Sequence, residues 1–125
     1  MTGEKFDRPP LHARTKRAQV ILTELWAERL RGTGVVVHCM HPGWADTPGV
    51  ETSLPRFHRV TKPFLRSPQE GADTIVWLGA APEAARSTGG FWHDRRRRPT
   101  HRVPWTRESA RERELLWERC ERLSG

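Results

Sequence analysis

The sequence contains no tyrosine, and only three of its 22 basic residues are lysine. Its two cysteines, Cys39 and Cys120, are too few for a disulfide framework. No stretch approaches the roughly 20 apolar residues that a membrane span requires. The first ten residues lack the apolar core of a signal peptide. These absences predict a soluble, cytoplasmic protein that is neither disulfide-stapled nor membrane-embedded.

Six tryptophans and four phenylalanines argue against disorder, because disordered chains are usually poor in large aromatic residues. A length of 125 residues suits one domain, and we expect residues 1–125 to form a single unit. The net charge of +7 would attract anionic partners. The favoured interpretation spreads this charge over solvated faces, and a nucleic-acid partner is the less favoured alternative.

The first half of the sequence predicts a helix, a strand and a loop. Residues 1–10 end in two prolines and predict an extended lead-in. Apolar residues at three- and four-residue spacing predict a helix over 11–30, which Gly32 and Gly34 end. The nearly continuous apolar run 35–40 predicts a strand buried on both faces, followed by a loop rich in Pro and Gly. Residues 50–66 are ambiguous.

The second half predicts a helix, a strand and a helix. Ser67, Pro68 and Glu70 form a capping-box start for a helix that stops before Pro82. Its apolar face is predicted to hold Ala72, Ile75, Val76 and Gly79. Residues 89–92 predict a turn into a short strand, and the basic run 95–98 predicts a solvated loop. A last helix over 107–123 is predicted with a stripe of Leu116, Cys120 and Leu123. This order predicts an α/β fold with two parallel strands, which normally require further strands beside them.

Two segments resemble the short-chain dehydrogenase/reductase family. Residues 12–31 are similar to its active-site helix, which opens with Tyr-x-x-x-Lys, and residues 41–49 resemble its Pro-Gly-x-x-x-Thr loop. Similar segments recur in order at 69–74, 90–95 and 99–101. The resemblance covers roughly residues 4–123. It implies the C-terminal part of a Rossmann-type parallel sheet, with the half that carries the glycine-rich turn absent from this sequence.

The resemblance implies catalytic roles for His12 and Lys16. In the family, the Tyr hydroxyl exchanges a proton with the substrate oxygen, while the Lys favours the phenolate and hydrogen-bonds the cofactor ribose. Here Lys16 stands at the Lys position and His12 at the Tyr position. Imidazole transfers protons near neutral pH, although it is shorter than a phenol. The alternatives are an exposed histidine near the chain start and a surface lysine.

The resemblance also implies a cofactor, NAD or NADP, held by Lys16, Pro42, Gly43 and Thr47. Gly43 would allow close backbone approach, and Pro42 would stiffen the bend. No glycine-rich turn follows a strand in this sequence, so we do not expect the chain alone to hold a dinucleotide. The histidines show no metal-ligand spacing, and no metal site is predicted.

Three functions follow as hypotheses. The first is NAD(P)-dependent oxidation or reduction of an alcohol or carbonyl compound, with little or no activity from this chain alone. The second is a non-catalytic protein that docks, through an exposed sheet edge, to a second copy or to a complete homologue. The third is a basic protein that binds anions or nucleic acid.

Overall fold

A computed structural model of the chain describes residues 8–45, 56, 59, 62–101 and 103–125. Its three longer helices are α1 (Arg8–Arg29), α2 (Pro68–Ala80) and α3 (Ala110–Ser124). Its strands are β1 (His38–Met40), β2 (Gly90–His93) and β3 (Arg96–Arg98), joined in one sheet in that order. Strands β1 and β2 are parallel, with Cys39 opposite Phe91, and β3 is antiparallel to β2.

Helices cover both faces of the sheet. On one face, the indole of Trp92 lies 5.3 Å from that of Trp77 in α2, measured between ring centroids. On the other face, Cys39 lies beside Thr23 of α1. A parallel strand pair covered by helices on both faces is the arrangement of a doubly wound sheet. The predicted α/β class, a partial Rossmann-type sheet, is confirmed.

The packing of α3 on α1 supplies the main apolar core. Ile21, Leu25 and Trp117 are buried there, and Leu22 and Leu116 pack against them. The Trp117 ring also meets Trp26 edge-on at 4.9 Å between centroids. The predicted stripe on α3 was wrong at Leu123, whose side chain is 77% exposed. Trp117, which lies between the predicted positions, is the residue that α3 buries.

Capping boxes start both later helices. The Ser67 hydroxyl accepts a hydrogen bond from the Glu70 N–H at 3.1 Å, and the Glu70 carboxylate accepts one from the Ser67 N–H at 2.7 Å. The helix ends at Ala80, so the predicted bounds of α2 are confirmed. Ser109 and Glu112 form the same box, which moves the start of α3 to Ala110 from the predicted residue 107.

The prediction for residues 35–40 was wrong in length and burial. The strand is only three residues long, none of its side chains is buried, and Val35 and Val36 before it are 52% and 42% exposed. Within the described part of the chain, β1 pairs on one side only, with β2. An edge strand of this kind has no flanking strand on one side, so its side chains stay partly accessible even where helices cover the faces of the sheet.

The lead-in prediction fails from Arg8 onward, because α1 already begins there. Pro9 and Pro10 fall in the first helical turn, where proline's missing N–H costs nothing. Residues 1–7 lie outside the described residues. So do most of residues 46–61, including the predicted cofactor residue Thr47.

The apolar face predicted to bury α2 is exposed. Ile75 and Val76 are 58% and 66% accessible, while the buried residues are Gly71 and Thr74. A side chain at Gly71 would meet the Ala45 Cβ at 3.2 Å, so close approach of helix and loop selects the small residue. The helix therefore turns Gly71 and Thr74 inward and Ile75 and Val76 outward.

The basic run forms strand β3 rather than the predicted solvated loop. A two-residue turn, Asp94-Arg95, joins β2 to β3, and both residues have φ near +53° (52° and 54°). Positive φ at both central residues defines the hairpin turn whose twist matches the strands. Arg66 pairs with Asp94, and Asp73 pairs with Arg95. Charged side chains on an edge strand discourage pairing with other chains, so three exposed arginines are tolerated there.

Candidate functional site

Two histidines mark the edge of the sheet where β1 and β2 both end. His41 directly follows β1, and its backbone N–H donates to the Trp92 carbonyl at 2.9 Å. His93 is the last residue of β2. The two imidazole centroids are 5.8 Å apart in an edge-on arrangement. Parallel strands bring their carboxyl ends to one edge, which is where open α/β sheets bind ligands.

The His41 ring is oriented by the turn that follows it. The Gly43 N–H donates to His41 Nδ1 at 2.9 Å, and Gly43 adopts φ of +79°, which favours glycine. A lone pair must face that donor, so the neutral ring carries its proton on Nε2. Partial burial lowers the pKa of His41, and the charges of His93, Arg66 and Lys16 lower it further. His41 therefore presents a neutral N–H donor at neutral pH.

Lys16 lies on α1, and its positive charge contributes to the lowered pKa of His41. Its ammonium donates to the neutral Gln19 Oε1 at 3.3 Å, and no described carboxylate pairs with it. His12 lies one turn earlier on the same helix and is exposed, with its carbonyl accepting from the Thr15 hydroxyl at 2.8 Å. The two candidate catalytic residues therefore share one face of α1, and no described hydrogen bond joins either side chain to the His41–Gly43 turn.

Arg66 lies over the turn and completes it. A Cβ on Gly43 would meet Arg66 Nε at 3.0 Å, so only glycine leaves room for this guanidinium. The backbone N–H of Arg66 donates to the backbone carbonyl of Trp44 at 2.9 Å. Hydrogen bonding from Arg66 lowers the pKa of Asp94 to about 2. Arg66 therefore ties three parts of the site together: the turn after β1, the start of α2 and the β2–β3 hairpin.

An open cleft of about 330 Å³ lies between these groups. It is lined by His41, Gly43, Trp44, Phe64, Arg66 and His93. The donors at this edge are an ammonium, a neutral imidazole N–H and a guanidinium, and they suit ribose hydroxyls, an amide oxygen and phosphate oxygens. The residues present thus fit the nicotinamide end of a dinucleotide. Among the described residues, no three His, Cys, Asp or Glu side chains are grouped as metal ligands.

Next to Lys16 in the chain, Arg17 anchors this stretch of α1. Its guanidinium binds the Glu108 carboxylate through two nitrogens, both at 2.6 Å, and donates to the Thr100 carbonyl at 3.0 Å. His101 Nε2 lies 2.5 Å from the same guanidinium. Hydrogen bonding from Arg17 lowers the pKa of Glu108 to about 2. The position of Lys16 relative to the sheet therefore depends on a network that reaches the start of α3.

Sequence reasoning missed the histidine pair and the Arg66 contacts. His41 was treated only as the residue before the Pro-Gly bend, and His93 only as a poor metal ligand. The signal was present, because two histidines at the carboxyl ends of adjacent parallel strands must lie close together. The Arg66–Asp94 pair, by contrast, joins residues 28 positions apart in the chain, and no local pattern encodes that contact.

A parallel strand pair covered by helices, with a turn and an open cleft at its carboxyl edge, is the arrangement in which doubly wound α/β folds bind nucleotides. Dehydrogenase/reductase SDR family member 12 of Bos taurus is 46% identical over 122 residues. The human protein of that name is 42% identical over 121 residues, and both alignments cover 95% of this chain. Human retinol dehydrogenase 14 is 31% identical over 97 residues, or 73% of the chain.

The homologues of this chain are therefore short-chain dehydrogenases/reductases, as its sequence motifs predicted. The chain spans only 38% of the length of each of the two family member 12 proteins and 29% of retinol dehydrogenase 14. No family model matches the chain, and no solved structure gives a significant match. None of the helices in the described part is long and apolar enough to cross a membrane.

Proposed function

We propose that this chain supplies one side of the active site of an NAD(P)-dependent oxidoreductase that interconverts an alcohol and a carbonyl compound. The observation that carries the proposal is the open cleft at the carboxyl edge of β1 and β2, which the hydrogen-bonded His41–Gly43 turn lines together with Arg66 and His93. The charge of Lys16, on α1, acts on His41 at this edge. The names of the homologues, dehydrogenases and reductases, support the same chemistry. Such reactions pair hydride transfer with proton transfer at the substrate oxygen.

Each candidate residue has a distinct part in the proposal. The Lys16 ammonium hydrogen-bonds the ribose hydroxyls, and its charge stabilises an anionic oxygen beside it. Pro42, Gly43 and Thr47 orient the nicotinamide end, with Thr47 assigned from the sequence motif alone. When bound, the nicotinamide supplies or accepts the hydride. His12, at the family's Tyr position, holds the proton that the substrate oxygen gains or loses.

The proposal assigns the grip on the dinucleotide to polypeptide outside these 125 residues. No glycine-rich turn follows a strand in the sequence, and that turn is what holds the pyrophosphate in doubly wound folds. Within the described residues, the outer edge of β1 pairs with no strand. A neighbouring strand there would extend the sheet and bring a second wall to the cleft.

The second candidate, favoured by its own observation, is a docking protein without catalysis. Ile75 and Val76 project from α2 into solvent, and β1 is the outer strand of the sheet against which α2 packs. Exposed apolar side chains beside an open strand edge suit association with a second copy or with a complete homologous reductase. Light scattering on the purified chain, alone and with an added homologous reductase, tests whether this surface docks to another protein. A dimer or larger assembly supports docking to a second copy. A chain that stays monomeric and does not bind an added homologous reductase contradicts the docking candidate.

A segment-swap chimera tests the oxidoreductase proposal. The 122 matched residues of the Bos taurus relative are replaced by this chain, and NADH and NADPH binding is followed by fluorescence titration. We expect saturable micromolar binding by the chimera and none by the chain alone. Lys16→Ala should weaken binding about tenfold, since it removes a charge-assisted hydrogen bond. Lys62→Ala, an exposed lysine outside the site, is the matched control. A folded chimera that binds neither nucleotide would contradict the proposal.

A further inference from the structure

A second cleft lies beside the histidine pair, on the α1 side of the sheet. It encloses about 510 Å³ and is lined by His41, Phe91, His93, Arg98 and Pro99. Phe91 and Arg98 are direct cross-strand partners, so their side chains share a face of the sheet. His93 lies two residues beyond Phe91 on the same strand and on the same face. Three chain segments therefore point polar side chains into one space.

The groups in this cleft are hydrogen-bond donors or cations. Arg98 forms no ion pair with any described carboxylate, although the neighbouring Arg95 is paired with Asp73. The neutral His41 ring carries its proton on Nε2, because Nδ1 accepts from Gly43. Lys16 adds positive charge from α1. None of the described residues that line the cleft is acidic.

The described carboxylate beside His93 is already engaged. Asp94 Oδ2 lies 3.7 Å from His93 Nδ1, but the same carboxylate binds Arg66 through two nitrogens, one contact being 2.9 Å. Arg66 thus offsets its charge. Phe91 and Pro99 form an apolar wall that excludes water on one side, and a weaker dielectric strengthens a charge interaction beside it.

We propose that this cleft binds an oxyanion, a carboxylate or a phosphate, between the Arg98 guanidinium and the His41 and His93 imidazoles. A planar guanidinium fork matches two oxygens of either group, and imidazole N–H donors complete the shell. The cleft adjoins the proposed reaction site, so the substrate of the oxidoreductase carries an anionic group. That statement about the substrate rests on the proposed function, whereas the anion site itself does not.

Binding is measured on the chain itself by proton NMR of the histidine ring hydrogens at pH 7. Sodium phosphate and sodium acetate are titrated separately, with sodium chloride at matched ionic strength as the reference. We expect a saturable, millimolar shift of the His41 and His93 resonances with at least one of the two oxyanions. Saturation by phosphate alone identifies a phosphorylated ligand, saturation by acetate a carboxylate. Shifts no larger than those with chloride, for both anions, overturn the proposal.

Variants distinguish specific anion binding in this cleft from nonspecific attraction to a positively charged protein. Arg98→Gln should weaken the saturable binding about tenfold, and Arg98→Lys should restore part of it. Arg119→Gln removes the same charge from an exposed position on α3 with no described ion pair, and it should leave binding unchanged. Equal weakening by Arg98→Gln and Arg119→Gln would contradict the site. A negative result in this titration would not affect nucleotide binding by the chimera. The anion site and the proposed oxidoreductase function can therefore fail independently.

Discussion

Replacing Glu108 by glutamine tests the network that fixes α1 against the start of α3. In the native chain the carboxylate binds Arg17 through both oxygens, and the two side chains are only 21% and 27% exposed. Glutamine keeps the shape but removes the charge, and it offers one acceptor oxygen in place of two. Arg17 then keeps the Thr100 carbonyl and the His101 ring as partners, and the glutamine oxygen can replace one of the two lost charge-assisted hydrogen bonds only by a neutral acceptor.

The size of the effect follows from the pKa of Glu108, which falls to about 2 from an ordinary value of about 4.3. A difference of that size corresponds to about 3 kcal/mol, and partial exposure to solvent reduces it to about 2 kcal/mol. Because the pKa is lowered in the folded state, this stability is present above about pH 4.3. It is lost as the pH falls towards 2. Wild type should therefore lose more stability than Glu108→Gln on acidification.

Urea unfolding followed by tryptophan fluorescence at pH 7 and at pH 3 measures the loss of stability in the variant and its dependence on pH. At pH 7 we expect Glu108→Gln to lower the free energy of unfolding by about 2 kcal/mol, and at pH 3 the gap should narrow. The control is Glu114→Gln, which removes a more exposed partner of Arg29 at 3.1 Å and should cost about 0.5 kcal/mol or less. Equal losses in the two variants at pH 7, or a gap that does not change with pH, would refute the reasoning.

Two further predictions concern the framework of the fold. Trp117→Ala should lower the free energy of unfolding by about 3 kcal/mol in urea titration, because it leaves a cavity in the α1–α3 core and removes the ring on which the Arg29 guanidinium stacks, 3.9 Å from the centroid. A loss below about 1 kcal/mol would mean that α3 does not pack on α1 as described. Ser67→Ala should cost about 1 kcal/mol and reduce protection of the first α2 amides in hydrogen exchange, since the capping box is lost. Unchanged protection at Glu70 would contradict that role.

Local signals predicted the elements whose causes are local. The capping box at Ser67 and Glu70 placed α2 because both partners lie within four residues. The apolar spacing over α1 predicted its long span, and the glycines after it indeed adopt positive φ at Gly32 and Gly34. The parallel pairing of β1 with β2 followed from the strand–helix–strand order.

Features that depend on distant partners escaped prediction. The basic run became β3 because Asp94 and Arg95 form a tight turn anchored from residues more than twenty positions earlier. The buried face of α2 could not be chosen from periodicity, since Gly71 and Thr74 face the sheet and Ile75 does not. The apolar sequence of residues 35–40 predicted full burial, whereas burial depends on a neighbouring strand.

The candidate site was predicted in part. The sequence motifs drew attention to Lys16 and to the Pro42-Gly43 bend, and the structure brings the charge of Lys16 to bear on the residue before that bend. The roles given to His12, Lys16, Pro42, Gly43 and Thr47 remain predictions. The histidine pair needed the sheet register, because His41 and His93 are separated by about fifty residues of chain.

Turnover by the segment-swap chimera tests most directly whether this chain forms one wall of a reductase site. Oxidation of NADPH or NADH is followed with a set of aldehydes and ketones, and the chain alone and the intact Bos taurus relative are measured in parallel. We expect the chimera to turn over slowly, His12→Tyr to accelerate it at least tenfold by restoring the phenol, and Lys16→Ala to abolish it. Brisk turnover by the chain alone, or a folded His12→Tyr chimera that binds nucleotide yet stays inactive, would contradict the account.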